Sequence, residues 1–85
     1  MKISVEISYY PLQNEFVPAI TGFIDRINTY PELTSQTNGM STQVFGEYKY
    51  VMNALTTEIE KAFENPHSVF VMKFINADLQ VVEKW

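Results

Sequence analysis

Apolar and polar residues alternate from Lys2 to Tyr10, with Ile3, Val5, Ile7 and Tyr9 on one side and Ser4, Glu6, Ser8 and Tyr10 on the other. A period of two predicts a half-buried strand, which Pro11 ends. The period then lengthens: Phe16, Ile20, Phe23, Ile24 and Ile27 fall on one stripe of a helix, with Asn14 placed as its N-cap. Pro18 is tolerable only near the first turn, so that turn is expected to be irregular. Tyr30-Pro31 stops the helix, because the residue before a proline is pushed away from helical angles. Leu33 to Thr37 and Met40 to Phe45 read as two strands joined by Asn38-Gly39, a pair that favours a tight turn with positive φ. Gly46 lets the chain turn away sharply, and Tyr48, Val51, Met52, Leu55, Ile59, Ala62 and Phe63 mark a second helix closed by Asn65-Pro66. Glu58, Glu60, Lys61 and Glu64 form its solvated side.

The last strand, Ser68 to Ile75, breaks the pattern of the first. Phe70, Met72 and Phe74 lie on one face, yet Val69, Val71 and Ile75 make the other face apolar too. The order βαββαβ, with right-handed crossovers, predicts an α+β ferredoxin-like fold: a four-stranded antiparallel sheet in the order 4-1-3-2, with two helices on one face. Helices cover one face only, so the apolar open side of the last strand calls for a cover, most simply a second subunit in a dimer or tetramer. The residues after Asn76, ending in Trp85, are placed as a short tail that helps cover it.

An 85-residue chain without a repeat or a Pro/Gly/Ser-rich linker fits one domain spanning residues 1–85. It has no cysteine, which excludes disulfides, thiolate metal sites, iron–sulfur clusters and a cysteine nucleophile. Polar residues interrupt the N-terminal stretch where a signal peptide would be apolar, and a cytoplasmic location is expected. The formal net charge of −4, with lysines and arginines scattered, gives no footprint for a phosphate backbone, so nucleic acid is not an expected partner; no segment approaches the roughly 20 apolar residues of a membrane span, so neither is a membrane.

The predicted strand order brings Ser8, Tyr10, Thr37, Asn38, Met40 and Ser41 to one edge of the sheet, beside Ser68 and Val69. Further in, Glu6 faces the open side near Gln43 and Lys73. Hydroxyl, amide and carboxylate groups beside aromatic and apolar ones are the usual mixture of a small-molecule site. Equally, Thr37, Asn38, Ser41 and Thr42 are residues that any half-exposed hairpin uses. Glu6 fits either an ion pair with Lys73 or an acceptor for a cationic or amine-bearing ligand. Tyr48 and Tyr50 are expected in the core and rim rather than as ring-stacking residues. Catalysis has little support: His67 is the only histidine, no telling partner accompanies it, and no glycine loop cradles phosphate. The start of the second helix, after Gly46, offers free N–H groups to an anion.

Over Thr37-Asn38-Gly39-Met40-Ser41-Thr42-Gln43-Val44-Phe45-Gly46-Glu47-Tyr48 the chain resembles the YkoF-like thiamine/hydroxymethylpyrimidine-binding family. Glu6-Ile7-Ser8 with Tyr10-Pro11-Leu12, Phe23-Ile24, Val51-Met52, and Phe70-Val71 with Lys73 extend the resemblance from about Ile3 to Leu79. It implies a non-enzymatic domain that binds thiamine or its pyrimidine moiety unchanged, in vitamin B1 salvage or transport, with no other cofactor. The family's better-known members carry two such domains, so self-association would have to replace the tandem. On this resemblance the ligand residues are Glu6, Ser8, Tyr10, Thr37, Asn38, Met40, Ser41, Gln43 and Phe45: hydroxyls and the amide pair with the aminopyrimidine, Glu6 favours the thiazolium cation, and Met40 and Phe45 form a wall. The competing expectation is a protein-interaction module whose open sheet pairs with itself or another protein. A third, an enzyme with few titratable groups, is left open by the fold.

Overall fold

The period of two in the first ten residues gives a central strand. In the computed structural model, which describes residues 1–65 and 67–81, β1 (Lys2–Pro11) lies between β3 (Thr42–Glu47) and β4 (Ser68–Ile75), and β2 (Thr34–Thr37) forms the far edge. All neighbours are antiparallel and the order is β2-β3-β1-β4, the expected ferredoxin-like arrangement. Two helices, α1 (Phe16–Ile27) and α2 (Tyr48–Ala62), cover one face, and a single 3-10 turn, Leu79–Val81, follows β4.

The register fixes which side chains share a face. Val5 pairs with Val44 and with Phe74, and Ile7 with Thr42 and Met72, so these point towards the helices. Glu6 pairs with Gln43 and Lys73, Ser4 with Phe45 and Ile75, and Ser8 with Val71 on the open side. The core lies between sheet and helices and is built from Ile3, Val5, Ile7, Phe23, Ile27, Val44, Val51 and Leu55, all buried. From α1, Phe23 and Ile27 reach the interior; Phe16 is half exposed at its start. Tyr48 and Phe63, predicted on the buried stripe of α2, are also about half exposed, at the two ends of that helix; Phe63 still meets Phe70 of β4 edge-on at 5.7 Å.

Several local expectations change. Glu15, not Asn14, occupies the N-cap of α1, and no side chain bonds to the free amides there; Pro18 removes one of them from the first turn. Asn38-Gly39 does join two antiparallel strands, but through a four-residue loop without positive φ. The Asn38 side-chain carbonyl accepts the backbone N–H groups of Met40 (2.8 Å) and Ser41 (3.2 Å), and the Asn38 N–H donates to the Ser41 carbonyl. This Asx-type closure satisfies the loop internally, so the tighter turn is not needed and β3 begins at Thr42 instead of Met40. Gly46 stays within β3, where close approach requires it: a Cβ there would lie 3.2 Å from the Glu32 carbonyl oxygen and 3.3 Å from Val51.

The start of α2 is already engaged. Its first N–H, on Tyr48, donates to the Met1 carbonyl, and the N-terminal amine donates to Glu47 at 3.0 Å, holding that carboxyl below its usual range. One of the N–H groups open to an anion is therefore taken by the chain itself. Glu58 is also corrected: it is buried between the helices, accepting from Arg26 Nε and from the Tyr30 hydroxyl, each at 2.7 Å. Helical periodicity placed it outside because its partners come from α1 and from the turn after it, about thirty residues away.

On the open face, Ser4 is buried beneath the segment after β4, donating to the Ala77 carbonyl (2.7 Å) and accepting from the Leu79 N–H (2.9 Å). The predicted cover is thus real at this end of the face as far as Leu79; Trp85 lies outside the described residues. At the other end Val69 and Val71 remain exposed, with Tyr10 beside them.

Candidate functional site

The end of β1, the start of α1 and the β2–β3 loop enclose a cleft of about 420 Å³. Its floor is apolar, with Ile7, Tyr9 and Phe23 below and Ile20 and Ile24 of α1 forming one wall. Behind it Tyr9 stacks on Phe70 (ring centroids 4.3 Å apart) and meets Phe23 edge-on at 5.5 Å, which fixes the wall as a rigid aromatic cluster. Exposed Leu12, Phe16 and Met40 stand around the mouth. The opposite wall is polar: Thr37, Asn38, Ser41 and Thr42 from the loop and its flanking strands; Ser8 of β1 borders the cleft. A cleft of this size with an apolar body and a few convergent polar groups suits a small ring-bearing ligand. Among the described residues, none that lines it is charged.

Six of the nine predicted residues therefore meet here: Ser8, Tyr10, Thr37, Asn38, Met40 and Ser41. The other three, Glu6, Gln43 and Phe45, lie in a separate hollow of about 450 Å³ on the open face, with Ser4, Lys73 and Leu79. Along β2 and β3 strand alternation explains the split, and along β1 it is position: Ser8 and Tyr10 stand at the end of the strand beside the loop, Glu6 further in. Thr37 and Thr42 form a cross-strand pair on the helix side, their hydroxyls 3.0 Å apart, whereas Gln36 and Gln43, one residue along each strand, point the other way. Phe45 is buried on the open side and forms no wall of the cleft.

One residue joins the two compartments. Ser41 lines the cleft, and its Oγ donates to Glu6 Oε2 (3.0 Å) and accepts from Gln43 Nε2 (2.8 Å). Gln36 Nε2 donates to Gln43 Oε1, and Lys73 Nζ lies 3.4 Å from Glu6 Oε1, so the chain of contacts crosses all four strands. The predicted Glu6–Lys73 pair is present; both side chains are well exposed, and such a pair contributes at most about 1 kcal/mol.

Sequence reasoning missed the α1 wall. The stripe Phe16, Ile20, Phe23 and Ile24 was visible, but periodicity alone does not distinguish a residue packed in the core from one at the margin of a cleft. Tyr48 and Tyr50 stand about half exposed, away from both hollows. Among the described residues, no group of three His, Cys, Asp or Glu side chains is placed to hold a metal ion, and no helix is long and apolar enough to cross a membrane.

The fold and cleft define a small ferredoxin-like protein, and solved structures share this architecture. A Thermotoga maritima protein provisionally assigned to thiamine biosynthesis or salvage superposes with a TM-score of 0.81, at 16% identity, over 91% of this chain and 85% of its own. A Streptococcus pneumoniae protein gives 0.83 at 21% identity, over 96% and 93%. A hypothetical protein of Methanocaldococcus jannascii gives 0.77 at 20%, over 91% and 81%. At these identities the likeness is one of fold. No family model and no curated protein matches the chain.

Proposed function

We propose that this domain binds thiamine or its hydroxymethylpyrimidine moiety without changing it, in vitamin salvage or transport, and does so as a homo-oligomer. The observation that carries the proposal is the uncharged cleft, which gathers six residues singled out from the sequence around an apolar floor the size of a small heterocycle. The shared fold of the T. maritima protein supports the same ligand class. An aminopyrimidine offers a flat apolar ring to Tyr9 and Ile20 and a hydrogen-bonding edge to Asn38 and Ser41. Glu6 is engaged by Ser41 and Lys73 outside the cleft, so in this reading the pyrimidine end of thiamine is the part that enters. Self-association uses the open face, where Val69 and Val71 stand exposed beside Tyr10.

The test is thermal unfolding with and without a large excess of thiamine, hydroxymethylpyrimidine, thiamine phosphates and an unrelated cation. A ligand at a hundred times its dissociation constant adds about 2.7 kcal/mol, which raises the midpoint of a small domain by about ten degrees or more. A rise confined to the pyrimidine-bearing compounds is expected. The exposed open face also favours a second function, an interaction module without a small ligand; no rise with any compound, together with an oligomer in sedimentation, would select it.

A further inference from the structure

We infer that Glu6 is a positioning residue that turns Ser41 into a fixed hydrogen-bond acceptor in the cleft, so that the site selects a ring bearing an amino group over the same ring bearing a carbonyl. This rests on the binding function proposed above and adds its selectivity. A carboxylate only accepts, so the hydroxyl proton of Ser41 is committed to Glu6 at 3.0 Å. An amide nitrogen only donates, so Gln43 Nε2 occupies one of the two lone pairs on Ser41 Oγ at 2.8 Å. The capacity left on that oxygen is a single lone pair. Gln43 is itself held in this orientation, because its own Oε1 accepts from Gln36.

Asn38 is fixed in the opposite sense. Its Oδ1 is taken by the backbone N–H groups of Met40 and Ser41, which also settles which end of the amide is oxygen. Among the described residues its Nδ2 has no partner, so Asn38 faces a ligand as a donor only. The loop thus presents a donor and an acceptor three residues apart in sequence, at the rim of a cleft without charge. The complementary edge is a ring nitrogen next to an exocyclic amine, the N=C–NH2 unit of a 4-aminopyrimidine. A 4-oxo pyrimidine reverses the pattern: its carbonyl oxygen would face the Ser41 lone pair and its ring N–H would face the Asn38 amine.

The experiment is titration calorimetry of 4-amino-5-hydroxymethyl-2-methylpyrimidine and of its 4-oxo counterpart against the full chain and three variants. The unsubstituted protein is expected to prefer the amino compound by about 10- to 100-fold, the span of one or two mismatched hydrogen bonds. In Glu6→Gln, whose amide can donate to Ser41 and release the hydroxyl proton, that preference should fall about tenfold, although residue 6 does not line the cleft. Lys73→Met, which removes the neighbouring charge without touching Ser41, should leave the preference in place. A folded Glu6→Gln with the full preference, or a Lys73→Met that loses it equally, would overturn the inference while leaving the binding function standing. Should Glu6→Gln fail to fold, Ser41→Ala decides: a preserved amino preference there overturns the inference, and its loss supports it. Failure of the unsubstituted protein to bind either compound would refute the binding function itself, and the selectivity with it.

Discussion

Replacing Glu58 by methionine removes a carboxylate that ties α1 to α2 and tests whether that contact or apolar packing holds the helices in place. Glu58 accepts from Arg26 Nε and from the Tyr30 hydroxyl, both at 2.7 Å, and its side chain is only 9% exposed. Hydrogen bonds to a charged group are each worth roughly 1.5–3 kcal/mol. The Arg26 side chain is 31% exposed, so once released it regains water and part of that loss is recovered. A net cost of about 2–3 kcal/mol is the result, a drop of roughly 10–20 °C in the unfolding midpoint of a domain this size. The double variant Arg26→Met/Glu58→Met leaves no charge behind and should return to within about 1 kcal/mol of the parent, because apolar side chains of similar volume replace buried ion pairs well. Urea titration followed by far-ultraviolet circular dichroism measures all three proteins. A single variant that costs less than about 0.5 kcal/mol, or a double variant no better than the single, would refute the reasoning.

Three further outcomes follow from the same geometry. The Tyr30 phenol titrates above its usual value, first because it donates to Glu58, then because it is partly desolvated and faces that charge. Its stabilising contribution is therefore complete below pH 10 and lost as the pH rises through the higher folded value; a urea midpoint that falls between pH 9 and 11 should fall less steeply in Tyr30→Phe. Gly46→Ala places a methyl 3.2 Å from the Glu32 carbonyl and the same distance from Leu33, and should cost about 1–2 kcal/mol in urea unfolding despite alanine's better strand propensity. Asn38→Asp keeps an oxygen for the loop amides but exchanges the donor for a negative charge, so stability should hold within about 0.5 kcal/mol while calorimetric affinity for hydroxymethylpyrimidine falls at least about tenfold.

How far the chain could be read depended on the range of the interaction concerned. Strand alternation and helical stripes are set by neighbours a few residues away, and they located all six main elements and, through the crossover rule, their order in the sheet. Asn38-Gly39 correctly marked a hairpin, but which turn it forms depends on where the Asn38 carbonyl finds donors, and that slid β3 by two residues without changing its faces. Glu58 looked solvated because its partners, Arg26 and Tyr30, belong to another part of the chain. Six of the nine site residues were read at one sheet edge, Glu6 and Gln43 further in, and Phe45 as a wall for the ligand that the resemblance implies. Six line the cleft because the loop brings Asn38, Met40 and Ser41, with Thr37 at its edge, up to Ser8 and Tyr10 at the end of β1; Glu6, Gln43 and Phe45 lie further along their strands, on the open face.

The β2–β3 loop carries a chemical clock. Asn38 is the chain's only asparagine followed by glycine, and both lie exposed at the mouth of the cleft. With no side chain on Gly39 to hinder it, the Gly39 backbone nitrogen can attack the Asn38 side-chain carbonyl and expel ammonia, leaving aspartate or isoaspartate after hydrolysis. Warm, alkaline storage thus converts the donor of the ligand edge into a carboxylate, in a protein whose secondary structure would look unchanged. Two preparations with the same circular dichroism spectrum but different histories would then hold different active fractions, and the intact mass of the peptide containing Asn38 would tell them apart before any binding curve was fitted.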